Sequence, residues 1–233
     1  EIVRFSKTPI ARHLLTSGSG TDTNSYNTAS ISPGANKLIL CAVYNRTSSV
    51  AKPIVSGCGL TWVEIDSQVD ATSNSRQTLF RAMGTPTPGA LTITFEGGQS
   101  QLRCGWSITE FDNVDTSGTN GSGAIVQSAK GTVADMSSGL TVTLGAFSNA
   151  NNATYGTIGH HSNAESGDFT PGSGFTKVGD FEVESVHIQS QWKNSNDTTV
   201  EWSTSDTNPN RPACAIAVEI KAGTGVLELH FKG

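Results

Sequence analysis

Short runs of alternating apolar and polar residues, each closed by a turn, dominate this chain. Residues 102–111 put Leu102, Cys104, Trp106 and Ile108 on one face at period two, and residues 140–144 repeat the alternation. Residues 213–221 direct Cys214, Ile216, Val218 and Ile220 inward. Residues 183–192 place Val186, Ile188 and Trp192 on one face and His187, Gln189 and Gln191 on the other, with Lys193 following on that side. Residues 37–45 are apolar almost throughout, and residues 60–69, 78–83 and 90–95 complete the set. Turn pairs such as Pro33-Gly34, Gly97-Gly98, Asn120-Gly121 and Pro171-Gly172 separate them. Period two predicts half-buried antiparallel strands, and no longer window carries the 3.6-residue period of a helix. The predicted fold is all-β: an antiparallel β-sandwich, jelly-roll-like, with terminal extensions. Immunoglobulin-like and jelly-roll strand orders share this pattern, so it leaves the order open.

Composition narrows the partners. The 233 residues include 15 Lys+Arg against 20 Asp+Glu, and charged residues are only 15% of the chain, below the roughly 25% of an ordinary domain. Hydroxyl side chains are abundant, with 28 Ser and 28 Thr. The net charge of −5 argues against a nucleic-acid binder, which needs a basic face. No apolar run approaches the roughly 20 residues of a membrane helix, so no membrane span is expected. With no composition break in the middle, the chain reads as a sandwich over 25–221, an N-terminal arm over 1–24 and a C-terminal strand or arm over 222–233. Ile2, Val3 and Phe5 in the first arm, and Leu227, Leu229 and Phe231 in the last, are candidate interface residues. An amphipathic strand of this kind either closes an edge of its own sheet or adds to a neighbour's. Cys41, Cys58, Cys104 and Cys214 lack the paired spacing of a zinc site. Buried free thiols and one or two bridges both fit them.

Several segments together resemble a known module. They are Ser32-Pro-Gly-Ala-Asn-Lys-Leu-Ile-Leu-Cys41, Gly59-Leu-Thr-Trp62, Leu79-Phe-Arg-Ala82, the Gly89–Thr94 strand and the stretch from Trp106 to Asp115, closed by the apolar strand at 215–221. The set resembles the β-sandwich module of phage tail and head-surface proteins and of bacterial surface proteins. That resemblance covers about residues 25–221 and implies a structural or adhesive role without bringing any catalytic residue. The expectation is a non-enzymatic component of a virion or surface assembly, located on a virion surface or extracellularly. Such a protein self-associates or docks on other structural subunits, and no cofactor is expected.

The alternative is a carbohydrate-binding or adhesion module, engaging surface glycans and assisted by calcium. Trp62, Tyr155 and Trp202 are its candidate sugar-stacking rings, whereas Trp106 and Trp192 share faces with core residues. Asp112, Asn113 and Asp115 are candidate oxygen ligands for calcium, set against the ordinary preference of Asp and Asn for turns. Glu182 and Glu184 read as a solvent face rather than a hydrolytic pair. Adjacent His160 and His161 point to opposite sides of a strand and cannot share one metal. The four Asn-x-Ser/Thr sequons, at Asn45, Asn120, Asn152 and Asn196, are the number composition alone produces.

Overall fold

The computed structural model describes residues 8–161, 169–184, 186–205 and 211–224. Sixteen strands occupy them. The first eight are β1 (Ala11–Thr23), β2 (Ser25–Asn27), β3 (Leu38–Arg46), β4 (Pro53–Gly57), β5 (Val63–Val69), β6 (Ser75–Ala82), β7 (Leu91–Phe95) and β8 (Gln101–Asp112). The second eight are β9 (Ile125–Val133), β10 (Leu140–Thr143), β11 (Ala153–His161), β12 (Phe169–Pro171), β13 (Thr176–Val183), β14 (Val186–Lys193), β15 (Thr199–Thr204) and β16 (Ala213–Ile220). Every pairing is antiparallel.

The strand orders reveal an internal repeat. One five-stranded sheet runs β1-β8-β3-β6-β5 and the other, read from its far edge, runs β9-β16-β11-β14-β13. The three-stranded sheets run β2-β7-β4 and β10-β15-β12. Adding eight to each strand number converts one half into the other. Each half has jelly-roll order, with its fifth strand joined to the larger sheet. What the sequence reading takes as one sandwich over 25–221 is therefore built from two copies of one eight-stranded unit.

Local features repeat with the topology. Glu110 on β8 stands opposite Ile39, and Glu219 on β16 stands opposite Thr154. Both carboxylates are buried, and each holds the loop that leads into the third strand of its unit. Glu110 accepts from the Gly34 amide and from Lys37 Nζ, while Glu219 accepts from the Ser148 amide and from Asn152 Nδ2. Lys37 and Asn152 each stand one residue before their third strand. The turn after the fourth strand also recurs: Gly57-Cys-Gly-Leu-Thr61 matches Gly172-Ser-Gly-Phe-Thr176. Gly59 and Gly174 both take positive φ, 65° and 78°, which only glycine adopts without strain. In both turns the amide after that glycine reaches back to the carbonyl three residues earlier, Leu60 to Gly57 and Phe175 to Gly172.

The four sheets stack as layers, with the two five-stranded sheets face to face in the middle. β1 lies over β13, β3 over β11 and β5 over β9, so a pseudo-two-fold axis passes between β3 and β11. The central core joins Leu38, Leu40, Ala42 and Tyr44 to Tyr155, Ile188, Ile216 and Val218. A second core fills the first unit, with Ile39, Cys41 and Val43 under Leu91, Ile93 and Phe95. A third fills the second unit, with Ala213, Ala215 and Ala217 under Val142, Val200 and Trp202. Both inner sheets are thus covered on both faces. This is why β3 and β16 read as nearly continuous apolar runs.

Two segments differ from the sequence reading. Residues 11–23, assigned there to an N-terminal arm, form β1 and pair along β8. They are an edge strand of half-buried residues, so their composition is polar. The face of His187, Gln189 and Gln191 is not solvent-exposed but lies buried beneath the outer sheet.

Candidate functional site

The predicted sugar-stacking rings do not form a platform. Tyr155 is fully buried in the central core, and its hydroxyl lies 2.9 Å from Ser190 Oγ. Trp202 is 2% exposed and packs in the third core. Trp62 is half-buried against the second core, with Nε1 donating to the Gly57 carbonyl. Tyr155 and Trp202 lie where two sheets meet, so no free face remains on them for a sugar; Trp62 alone keeps part of its surface.

The predicted calcium ligands each make a contact within the chain. Asp112 caps the Asn113 amide and faces Lys37 at 3.5 Å. Asp115 caps the Ser117 amide and pairs with Lys221 at 2.6 Å. That pairing is the main reason its carboxyl drops to about 2. Asn113 Nδ2 donates to the Pro9 carbonyl. Among the described residues no three His, Cys, Asp or Glu side chains are placed to hold a metal ion.

Asn113 does something else. Its side chain holds Pro9, while its carbonyl accepts from the Gly223 amide at 2.8 Å. Val114 bridges to Ala222 beside it. The chain therefore enters and leaves at one corner, on either side of the end of β8. The interface candidates Ile2, Val3, Phe5, Leu227, Leu229 and Phe231 lie outside the described residues.

The structure assembles two polar clusters that no sequence spacing announced. In the first, His161 Nδ1 on β11 lies 2.7 Å from Ser75 Oγ and 3.2 Å from Asp70 Oδ2. Both partners use the same ring nitrogen, so the imidazole cannot pass a proton from serine to aspartate, as a nucleophilic triad requires. The cluster is a pin between the two units. Burial pushes the Asp70 carboxyl up, but hydrogen bonds from His161, Thr72 and the Asn74 amide outweigh it and hold it below the ordinary value.

The second cluster lies on the opposite face of β11. His160 and His187 are cross-strand neighbours, both 1% exposed, and their rings meet edge to face beneath Phe169. His187 Nε2 bonds Asp180, which also bonds Lys177. Burial first, then the neighbouring His187 and Arg211, pushes His160 down to about 3. The two adjacent histidines do point to opposite sides, as their spacing predicts.

The other paired candidates also separate. Glu184 sits in a turn with φ of 47° and pairs with Arg103. Asn45 and Asn152 are 0% and 1% exposed, which takes two of the four sequons out of reach of glycosylation. The four cysteines are free and buried.

An open cleft of about 280 Å³ lies on the outer sheet of the second unit, over β15 and between the start of β10 and the end of β12. Ser138, Thr141, Thr170, Ser173, Glu201 and Ser203 line it. Comparison of the chain with protein-family models, with curated proteins and with solved structures returned no match.

Proposed function

We propose that this protein is a non-enzymatic structural component of a virion or surface assembly, which self-associates or docks on other structural subunits through sheet faces and terminal strands. The observation that carries this reading is the corner at Asn113, where the chain enters through Pro9 and leaves through Gly223. Pro9 and Gly223 meet at that one place, and the interface candidates Ile2, Val3, Phe5, Leu227, Leu229 and Phe231 lie in the sequence beyond them. Short segments with apolar residues at alternate positions suit strand addition, in which backbone hydrogen bonds give affinity and alternate side chains give register. Jelly-roll sandwiches recur in capsid and lectin domains. The resemblance of residues 25–221 to phage and bacterial surface modules points the same way, to a virion surface or an extracellular location.

The chemistry of the interior agrees. Its buried titratable groups are tied into pins: Glu110 and Glu219 hold loops, and Asp70 with His161 joins the two units. Light scattering on the full chain, and on a chain ending at Thr224, tests the reading. The full chain is expected at a multiple of 24.3 kDa, and the shortened chain at the mass of one subunit with its β-sheet circular dichroism intact. A monomer in both cases sinks the proposal, as does a shortened chain that unfolds.

A further inference from the structure

The two units agree at their structural pins and differ at their outer sheets. In the first unit the single residue Asn24 joins β1 to β2. In the second, residues 134–139 intervene between β9 and β10 and raise one wall of the cleft. This wall is fixed rather than loose. Met136 is fully buried as its anchor, and its amide donates to the Arg211 carbonyl at 2.9 Å. Asp135 caps the Ser137 amide, and the Gly139 amide closes the turn onto the Met136 carbonyl. The opposite wall is the repeated turn at Gly172. A Cβ there would stand 2.8 Å from Glu201 Cγ, so glycine lets this wall come close to the floor.

The cleft's polar groups are unspent. Among the described residues, the hydroxyls of Thr141, Thr170, Ser173 and Ser203 and the carboxylate of Glu201 have no side-chain hydrogen-bond partner. The strands of the first unit's outer sheet carry no carboxylate: they present Ser25, Asn27, Ile54, Ser56, Thr92 and Thr94, with Thr92 already bonded to Asn27.

Chemistry selects the ligand. A carboxylate only accepts, so it calls for a donor-rich partner, while hydroxyls both donate and accept. An ammonium or guanidinium group donates only and would use the four hydroxyls as acceptors alone, leaving their protons to water. An anion meets no basic group in the lining, and an apolar ligand would strand every polar atom. Sugar hydroxyls serve both kinds of partner. The volume is below the roughly 300–1,000 Å³ of a drug-sized site and suits one ring.

We propose that this cleft binds one ring of a neutral saccharide, with Glu201 accepting from two adjacent ring hydroxyls and the four Ser/Thr hydroxyls completing the contacts. The site stands apart from the assembly reading. The terminal corner carries that role, and this cleft carries glycan recognition. Trp202 in the floor turns its ring into the third core and offers no stacking face, so single-ring affinity is millimolar and useful binding comes from many copies on one particle.

The test is an amide-shift titration of the ¹⁵N-labelled full chain with glucose, galactose, mannose and N-acetylglucosamine, each to about 50 mM, well above a millimolar Kd. At least one sugar is expected to shift the Gly139, Gly172 and Ser203 amides saturably and to leave those of Thr92 and Thr94 unmoved. Glu201→Gln is expected to weaken that binding roughly tenfold, since it loses a charge-assisted acceptor. Thr170→Val should weaken it by a smaller factor. Both positions are solvent-exposed, and an otherwise unchanged spectrum verifies the fold of each variant. The proposal is overturned if no sugar moves these amides, if the response survives Glu201→Gln undiminished, or if ethylammonium chloride moves them and the sugars do not.

Discussion

Mild acid should destabilise this protein through one imidazole. His160 is 1% exposed, packed against Phe169 at 4.8 Å and against His187 at 5.6 Å. Burial, reinforced by His187 and Arg211, lowers it from the ordinary 6.5 to about 3. Between those values the unfolded chain holds a proton that the folded chain refuses, so stability falls as pH falls. The slope is about 1.4 kcal/mol per pH unit for one proton. From neutrality to about pH 4.5 the loss is about 3 kcal/mol, a large share of the roughly 5–15 kcal/mol that holds a domain folded. The depressed carboxyls of Asp70 and Asp180 lose their contribution only below the ordinary carboxylate range, so they leave this window clear. Urea unfolding at several pH values, for the native chain and for His160→Gln, isolates the effect. The variant starts less stable at neutral pH, but its curve should be flatter by about 3 kcal/mol across the window. Parallel curves would refute the reasoning. So would a His160 ring resonance that titrates near 6.

Other consequences are as direct. His161→Ala removes the imidazole that joins Asp70 and Ser75 and should cost about 1–3 kcal/mol in urea unfolding; an unchanged stability would mean that the pin carries little. Gly159→Ala places a Cβ 2.1 Å from the Tyr44 ring at the contact between units, and should cost at least the roughly 1–3 kcal/mol of an overpacked core. With all four thiols buried, Ellman's reagent should find no reactive thiol in the native chain and four after denaturation. A fast native reaction would place a cysteine at the surface.

The strands of the cores were legible because alternation reports a face that meets another sheet. Cys104, Trp106 and Ile108 are core residues as predicted, while Leu102 at the rim is 41% exposed. What alternation cannot report is a polar face that is also covered. Gln189 and Gln191 look like solvent positions, yet Gln189 Nε2 donates to the Phe169 carbonyl, and Gln191 joins the Gly172 amide to the Glu201 carbonyl. β12 is only three residues long, and these amides serve backbone groups that its short ladder leaves unpaired. β11 escaped notice for a different reason. Its glycines are steric necessities, Gly156 beneath Trp202 and Gly159 beneath Tyr44, and they erase the side chains that would have signalled a strand. The repeat is nearly invisible in sequence because its units share pins and turns but not core residues: Leu40 faces the central core in one unit, Tyr155 in the other. The cleft at Glu201 needed the sheet order, since its two walls and its floor come from three separate stretches of the chain, around Gly139, Gly172 and Glu201.

The stacking of the two units also has a consequence during synthesis. In each unit the first strand pairs with the last, β1 with β8 and β9 with β16, so neither unit can close until its eighth strand has left the ribosome. When the first unit closes, the face carrying Leu38, Leu40 and Tyr44 has no cover until the second unit has been made. During translation the nascent chain therefore presents one broad apolar sheet for the time needed to synthesise about a hundred further residues, several seconds at roughly 5–20 residues per second. Two such nascent chains on one message could meet through that face, in the geometry the pseudo-two-fold axis already provides. The linker between the units, which keeps the correct partner close at hand, is then a safeguard against exchange between neighbouring ribosomes.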